Sequence, residues 1–441
     1  MGVKITDKAR KIIERDKKVM ITTTRESYAF VPSHGDGDYI FDVSGNRFID
    51  FSSFIAVYNF GVNSNKLVRN AVKRQADKLM HSAFTDYYSE LPVEFAENLV
   101  KMFPKGFGRV FFSNSGTEAN EAAIKFAKLF SKRQYLISFH GGFHGRTLGA
   151  LALTSSKTVQ RAHFGPFPSV FHAPYAYCYR CPLRKDDSDK CCLTGIDYIK
   201  KDILGKDAPA KEVAAIFFEP IQGEGGYIVP PKEFVKELRK LATENNIILV
   251  ADEVQSGYMR TGSFLALDNF GVEADIYTLA KAIAGGLPMG ATVTRSSLGD
   301  IESGAHANTF GGNHLVVAAA KANLEYIKNN MQSLKNDSKR KGKIIMKRLG
   351  EMKGRYEIVG DVRGIGMMIG IEFVKDKHTK EFAVGERNKI LEICFENNLI
   401  LLPAGPSSIR IAPPLTISES NLTAGMDVLE SAIKAANGNK R

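Results

Sequence analysis

The sequence contains no tryptophan, and its 441 residues include only five cysteines. No stretch approaches the roughly 18 consecutive apolar residues that a membrane-spanning helix requires, so a transmembrane protein is not expected. Internal repeats, low-complexity tracts and flexible linkers are also missing, which excludes solenoids and strings of tethered modules. Residues Met1 to Lys11 are charged and lack the apolar core of a secretory signal, so a cytoplasmic location is expected. The pattern G-x-G-x-x-G occurs nowhere, which argues against a dinucleotide-binding site.

The scarce cysteines are not spread evenly. Cys178, Cys181, Cys191 and Cys192 cluster in one short segment, and Cys394 stands apart. A C-x-x-C followed by two adjacent cysteines is a poor zinc spacing, because neighbouring thiolates chelate one ion awkwardly. A reducing cytosol disfavours a disulfide. A loop with reduced thiols is therefore the first reading, with a disulfide and a metal behind it.

What the chain does have is an ordinary globular composition, 44% hydrophobic and 24% charged, in a length that suits two domains. The 60 basic and 48 acidic residues leave a net charge of +12. The basic residues concentrate only near 4–18 and 336–348, both with helical periodicity, so solvated helix faces explain them better than a nucleic-acid surface.

Two segments carry the chemistry. Ile247-Ile-Leu-Val-Ala251 is an apolar run that ends on Asp252 and reads as a buried parallel strand with an acid at its C-terminal edge. Asp275-Ile-Tyr-Thr-Leu-Ala280 is a second strand-like run, and it ends on Lys281 before small residues and glycines. Alone, Asp252 is an ordinary helix cap and Lys281 a surface lysine. Together, at one edge of one sheet, they match the needs of pyridoxal phosphate (PLP): an amine for its aldehyde and an acid to keep its pyridine nitrogen protonated.

Two further segments fit the same site. Ser113-Asn-Ser-Gly-Thr-Glu-Ala-Asn-Glu121 follows the strand Val110-Phe-Phe and opens a helix at Gly116 and Thr117, where free N–H groups and the helix dipole favour a phosphate. The same residues also fit a plain helix cap. Phe139-His-Gly-Gly-Phe-His-Gly-Arg-Thr147 offers Phe143 to stack on a flat ring and Arg146 to bind a carboxylate. His140 and His144 stand i, i+4, but the intervening glycines rule out the helix that a metal-binding pair needs, and no metal site is expected. Around these segments, strands at 135–139 and 213–218 and a helix from Pro231 to about Asn245 alternate in a βαβ rhythm. That rhythm predicts a mostly parallel sheet flanked by helices. A helix over residues 1–20, a hairpin turning at Ser44-Gly45-Asn46, and an α+β segment after about 315 complete the chain.

These segments, together with Glu219-Pro-Ile-Gln-Gly-Glu-Gly-Gly, Thr309-Phe-Gly-Gly-Asn, Val362-Arg-Gly-Ile-Gly and Ile409-Arg-Ile-Ala-Pro-Pro-Leu, resemble the class III PLP-dependent aminotransferases of fold type I. The resemblance runs from about residue 40 to 415. It implies an α/β fold in which residues 63–315 form a large PLP-binding domain. Residues 1–62 and 316–441 would form a smaller α+β domain built from both termini. It assigns Lys281 as the lysine bonded to the cofactor and as the proton-moving base. Asp252 would be the pyridinium partner, Gln255 the contact to the ring hydroxyl, and Phe143 and Val254 the sandwich around the ring. Ser115, Gly116 and Thr117 would hold the phosphate, with His144 and Glu219 also lining the cofactor. Thr309 would complete the phosphate site of a partner subunit, which implies a homodimer.

For substrate, the resemblance places Arg410 on the α-carboxylate of glutamate or 2-oxoglutarate, and Glu224 as its exchangeable counter-ion. Arg146 would take the distal carboxylate. Ile55 occupies a position where 4-aminobutyrate-type enzymes tend to carry Ile and ornithine-type enzymes Tyr. The expected reaction is transfer of an amine from an ω-amino acid, 4-aminobutyrate first and ornithine or similar next, to 2-oxoglutarate. Two departures keep an amino acid racemase or epimerase of the same family open: Gly61-Val-Asn-Ser-Asn replaces the family's Gly-His-x-His-Pro, and the Cys-rich insert is shared in style with racemising members. A non-enzymatic binding protein on this fold is the remaining alternative, and the presence of both Lys281 and Asp252 speaks against it.

Overall fold

The computed structural model describes residues 3–23, 28–181 and 193–438, and contacts divide it into two compact units. One comprises residues 67–336 and the other residues 1–66 together with 337–441. The helix His314–Asn329 thus counts with the middle unit, which extends to 336 where the sequence pattern placed its end at 315.

The middle unit is built on a seven-stranded sheet, in the order 107–113, 290–295, 276–279, 248–252, 213–218, 135–139, 170–173. The strands from 276–279 to 170–173 run parallel, whereas Gly290–Arg295 is antiparallel to both of its neighbours. Val213–Phe218 and Ile248–Asp252 are buried along their whole length, which is why their sequences are apolar without alternation up to Asp252. Ala122, Ala123 and Phe126 of the helix Gly116–Ser131 pack on Leu136, Ala215, Phe217, Val250 and Ile276 of the sheet. Small alanines on that face let the helix lie close to the strand ends. The C-terminal edges of 248–252 and 276–279 therefore open beside the N-terminus of this helix.

The other unit holds two four-stranded sheets. Tyr39–Asp42 and Arg47–Asp50 form the expected hairpin, extended by Pro32–Asp36 on one side and by Leu399–Ile400, parallel, on the other. Its core is aromatic: Phe395 stacks on Tyr28 at 4.2 Å and on Phe48 at 5.0 Å. The second sheet is antiparallel, in the order 359–365, 368–373, 408–411, 402–404, so Ser408–Ile411 is an inner strand. Among the described residues no helix is long and apolar enough to cross a membrane.

Candidate active site

Asp252 is the last residue of its strand and is buried, 4% exposed. Such a carboxylate needs donors, and three reach it. His144 Nδ1 and Asn120 Nδ2 lie 2.8 and 2.7 Å from its Oδ2, and the backbone N–H of Val254 donates to Oδ1 at 3.0 Å. Oδ1 keeps acceptor capacity for one more donor. The adjacent acid is committed elsewhere: Glu253 accepts from Ser256 Oγ and from the backbone N–H groups of Ala266 and Leu267 at 2.6, 3.0 and 2.8 Å. Of the two neighbouring carboxylates, only Asp252 is left able to serve a ligand.

The environment of Asp252 is electrostatically coupled. Burial pulls the His144 imidazole down, but its hydrogen bond to Asp252 and the charges of Asp252 and Glu219 outweigh burial and raise its pKa. Burial pushes the Glu219 carboxyl up to about 7 against the pull of His144, with Asp252 adding to the rise. Glu219 accepts from the backbone N–H groups of Phe143 and Gly223, each at 2.9 Å, and so fixes the Phe143 loop against the turn after strand 213–218. Gln255 is held by the Tyr227 hydroxyl, which donates to its Oε1 at 2.8 Å; the amide nitrogen is left to donate.

The helix N-terminus is built as a close approach. Ser115 caps the helix, its hydroxyl accepting from the Glu118 N–H at 3.3 Å. A Cβ on Gly116 would stand 2.8 Å from Val254 Cγ1, so only glycine lets the cap reach Val254, two residues beyond Asp252. Thr117 Oγ1 lies 2.7 Å from Thr147 Oγ1, one residue after Arg146. Arg146 is exposed, with its guanidinium carbon 5.5 Å from the centre of the Phe143 ring.

Lys281 follows the strand Ile276–Leu279, in which Thr278 pairs with Asp252 across the parallel ladder. Its backbone is left-handed, φ 44°, a conformation that costs a non-glycine residue about 1–3 kcal/mol and collects at functional sites. Ala280, the residue before it, would lie 3.4 Å from a Cβ on Gly116, so the lysine leaves its strand beside the helix cap.

Of the expected substrate residues, Arg146 and Glu224 belong to the middle unit and Ile55 and Arg410 to the other. Glu224 Oε2 lies 3.6 Å from Lys157 Nζ, a residue that the sequence pattern did not single out. Arg410 is buried, 5% exposed, on the inner strand of its sheet. Ile55 belongs to a left-handed turn in which Ser53, Phe54, Ile55 and Ala56 all have positive φ. Asp50 Oδ1 holds this turn by accepting from Ser52 N, Ser52 Oγ and Ser53 N at 2.7, 2.7 and 2.9 Å. Ser53 Oγ donates at 2.7 Å to the carbonyl of Ala412, two residues past Arg410. Thr309 is exposed and follows Asn308, whose amide donates to the Phe112 carbonyl at 2.9 Å.

Sequence reasoning also missed Asn120, Thr278 and Tyr227. The signal for Asn120 was a polar residue on the helix face that carries Ala119, Ala123 and Ala127, all fully buried. His140 and His144 do not converge: His140 stacks on His172 at 5.8 Å, and His144 turns to Asp252. Cys191 and Cys192 lie outside the described residues.

A capped helix N-terminus for an anion, a carboxylate with one acceptor to spare and a lysine after the neighbouring strand end together fit a phosphorylated pyridine. The comparisons agree. The family model described as aminotransferase class-III matches residues 21–433. The chain is 40% identical over 424 residues to the leucine/methionine racemase of Thermococcus litoralis, covering 96% of this chain and 95% of that one. It is 37% identical over 406 residues to the probable 4-aminobutyrate aminotransferase of Bacillus subtilis, covering 91% of this chain and 92% of that one. The solved taurine:2-oxoglutarate aminotransferase of Bifidobacterium kashiwanohense, in complex with PLP and glutamate, superposes with a TM-score of 0.90 at 26% identity over 99% of each chain. The chain belongs to the class III aminotransferases and is a pyridoxal phosphate enzyme of that family.

Proposed function

We propose that this enzyme transfers the amine of an ω-amino acid, 4-aminobutyrate first and ornithine or similar next, to 2-oxoglutarate, giving a semialdehyde and glutamate. The observation that carries this reading is Arg146. It is an exposed cation on the rim of the Phe143 ring, and among the described residues no acid pairs with it. An acceptor with a second carboxylate has use for such a group, whereas the inversion of a neutral amino acid has none. The name of the Bacillus subtilis relative supports the same choice of donor.

Bound PLP supplies an aldehyde that bonds the substrate amine and a ring that takes up the electron pair left when the substrate carbon loses its proton. The chain's own residues do the rest. Lys281 Nζ would hold the cofactor until substrate arrives and would then act as the base that moves the proton of the substrate carbon. Asp252 Oδ1 would accept from the protonated ring nitrogen, with His144 and Asn120 holding Oδ2. Gln255 Nε2 would donate to the ring hydroxyl. Phe143 and Val254 would cover the two ring faces, and Gly116 and Thr117 would bind the phosphate at the helix N-terminus. Arg410 takes the α-carboxylate of glutamate, Glu224 supplies the exchangeable negative charge, and Ile55 shapes the donor side.

A homodimer belongs to this reading. Met80, Tyr87, Tyr88 and Phe310 are exposed large apolar residues. The segments that carry them meet, since Phe310 packs on His81 at 4.9 Å and Thr85 Oγ1 donates to the Asn308 carbonyl at 2.9 Å. A patch of that kind on a surface marks an interface. Thr309 lies within it, which suits a role in the partner's phosphate site.

A second reading, racemisation, is favoured by the 40% identity to the leucine/methionine racemase. It would use the same lysine and acid but reprotonate the substrate carbon instead of transferring the amine. One experiment separates the two. A single enantiomer of leucine or alanine is supplied without any keto acid and followed by chiral chromatography. The transferase stops after one half-turnover; sustained accumulation of the other enantiomer would replace the proposal with the racemase.

A further inference from the structure

Asn120 touches three of the elements that carry the cofactor residues. It projects from the helix Gly116–Ser131, one turn beyond the phosphate-binding end, and is 1% exposed. Its Nδ2 donates at 2.7 Å to the backbone carbonyl of His144 and at 2.7 Å to Asp252 Oδ2. Its Oδ1 accepts from Thr278 Oγ1 at 3.0 Å. A carbonyl and a carboxylate can only accept, so these partners dictate which way the amide faces. Thr278 in turn stands opposite Asp252 in the ladder and three residues before Lys281.

A buried amide that merely fastened a helix to a sheet could bond any backbone carbonyl. This one spends a donor on the carboxylate that serves the ring nitrogen and takes its own support from the strand that leads to the lysine. Two side-chain donors on Oδ2, from Asn120 and His144, stop the carboxylate from rotating about its Cβ–Cγ bond, and the Val254 N–H occupies part of Oδ1. The charged groups around it are His144 and Glu219; Asn120 adds a donor there without adding charge.

We propose that Asn120 is a positioning residue of the reaction. It holds the Asp252 carboxylate in the one orientation that leaves an Oδ1 lone pair for the pyridine nitrogen, and it keeps the phosphate-binding helix in register with the strand of Lys281. This rests on the reading that Asp252 pairs with the ring nitrogen, so the test includes that residue.

The enzyme is loaded with PLP labelled with nitrogen-15 in the ring, and the nitrogen signal is followed against pH. That signal reports whether the ring nitrogen carries its proton, and a purely structural contact elsewhere would not move it. In Asn120→Leu, similar in volume but without donors, the ring nitrogen is expected to lose its proton at a pH lower than in the native enzyme by on the order of one unit. Thr278→Val leaves the amide in place without its anchor, and a smaller shift in the same direction is expected; if Asn120→Leu does not fold, this variant decides alone. Native-like titration of these variants beside a lost proton in Asp252→Asn overturns the role of Asn120. Native-like titration of Asp252→Asn itself overturns the pairing of Asp252 with the ring, and the role of Asn120 falls with it.

Discussion

His144 Nδ1 and Asp252 Oδ2 lie 2.8 Å apart with side chains 1% and 4% exposed, so the imidazole and the carboxylate share a proton where water does not reach. Asp252 is the negative partner at the end of the strand, close enough to Glu219 to push its carboxyl up. Charge of this kind, fixed before substrate binds, is what stabilises developing positive charge most efficiently. Replacing Asp252 by Asn keeps the shape and removes the charge. Turnover is expected to fall by roughly a hundredfold or more, about 3 kcal/mol in barrier, with the melting temperature little changed. Unchanged turnover assigns the ring acid elsewhere.

Lys281→Ala is expected to lose the yellow colour of the purified enzyme and nearly all turnover, because it removes the amine assigned to the cofactor aldehyde. Its left-handed backbone also relaxes in a smaller residue only slightly, so the fold is expected to persist. Visible absorption and circular dichroism on the same sample check both statements. A variant that transaminates near the native rate refutes the assignment.

Gly116→Ala tests the close approach of the helix cap to Val254. The new methyl meets Val254 Cγ1 at 2.8 Å, against a valine held two residues past Asp252. Relieving that contact moves either the cap or the face of the ring pocket, at a cost of about 1–3 kcal/mol. Titration of the cofactor-free variant with PLP is expected to show affinity weakened by at least roughly tenfold. Native affinity means that the phosphate does not use this turn.

Arg146→Met keeps the aliphatic stem over Phe143 and removes the cation. A charged hydrogen bond to a carboxylate contributes about 1.5–3 kcal/mol, so KM for 2-oxoglutarate is expected to rise by roughly ten- to a hundredfold. The donor half-reaction with 4-aminobutyrate, measured in a single turnover, should change far less. Equal losses in both halves remove Arg146 from acceptor recognition.

His172 gives a pH dependence with a definite sign. Burial, and then the charges of Arg161 and His140, hold its imidazole down at about 4 against its bond to the Leu153 carbonyl. Between about 4 and its ordinary value near 6.5 the folded chain binds fewer protons here than the unfolded chain. This group therefore adds stability as pH rises through that window and withdraws it as pH falls. Glu219 works in the opposite direction, because its carboxyl is raised to about 7 and the folded chain binds more protons there. The difference between native enzyme and His172→Gln isolates the histidine. Urea midpoints measured from pH 4 to 7 should converge toward acid, and parallel curves would show that His172 protonates freely in the fold.

Much of this enzyme is legible from local pattern. Val213–Phe218 and Ile248–Asp252 read as buried strands because burial on both faces demands unbroken apolar side chains. Ser115 announces a helix start because a capped N-terminus needs a hydroxyl, and Asp252 stands out because an acid closing such a run must have a use. Tertiary structure decided the rest. Gly290–Arg295 is hidden from hydropathy because its buried Thr292 is satisfied by the Ala119 carbonyl at 2.8 Å, a partner 173 residues away. Asn120 has no local reason to be polar; its three bonds reach residues 24, 132 and 158 positions distant. The left-handed turn that displays Ile55 depends on Asp50 and on the distant Ala412 carbonyl, since no glycine invites it. Periodicity records which face of an element meets the core, because that is a property of neighbouring residues. Which polar group meets which depends on the order of strands in the sheet, and that order exists only once the chain has folded.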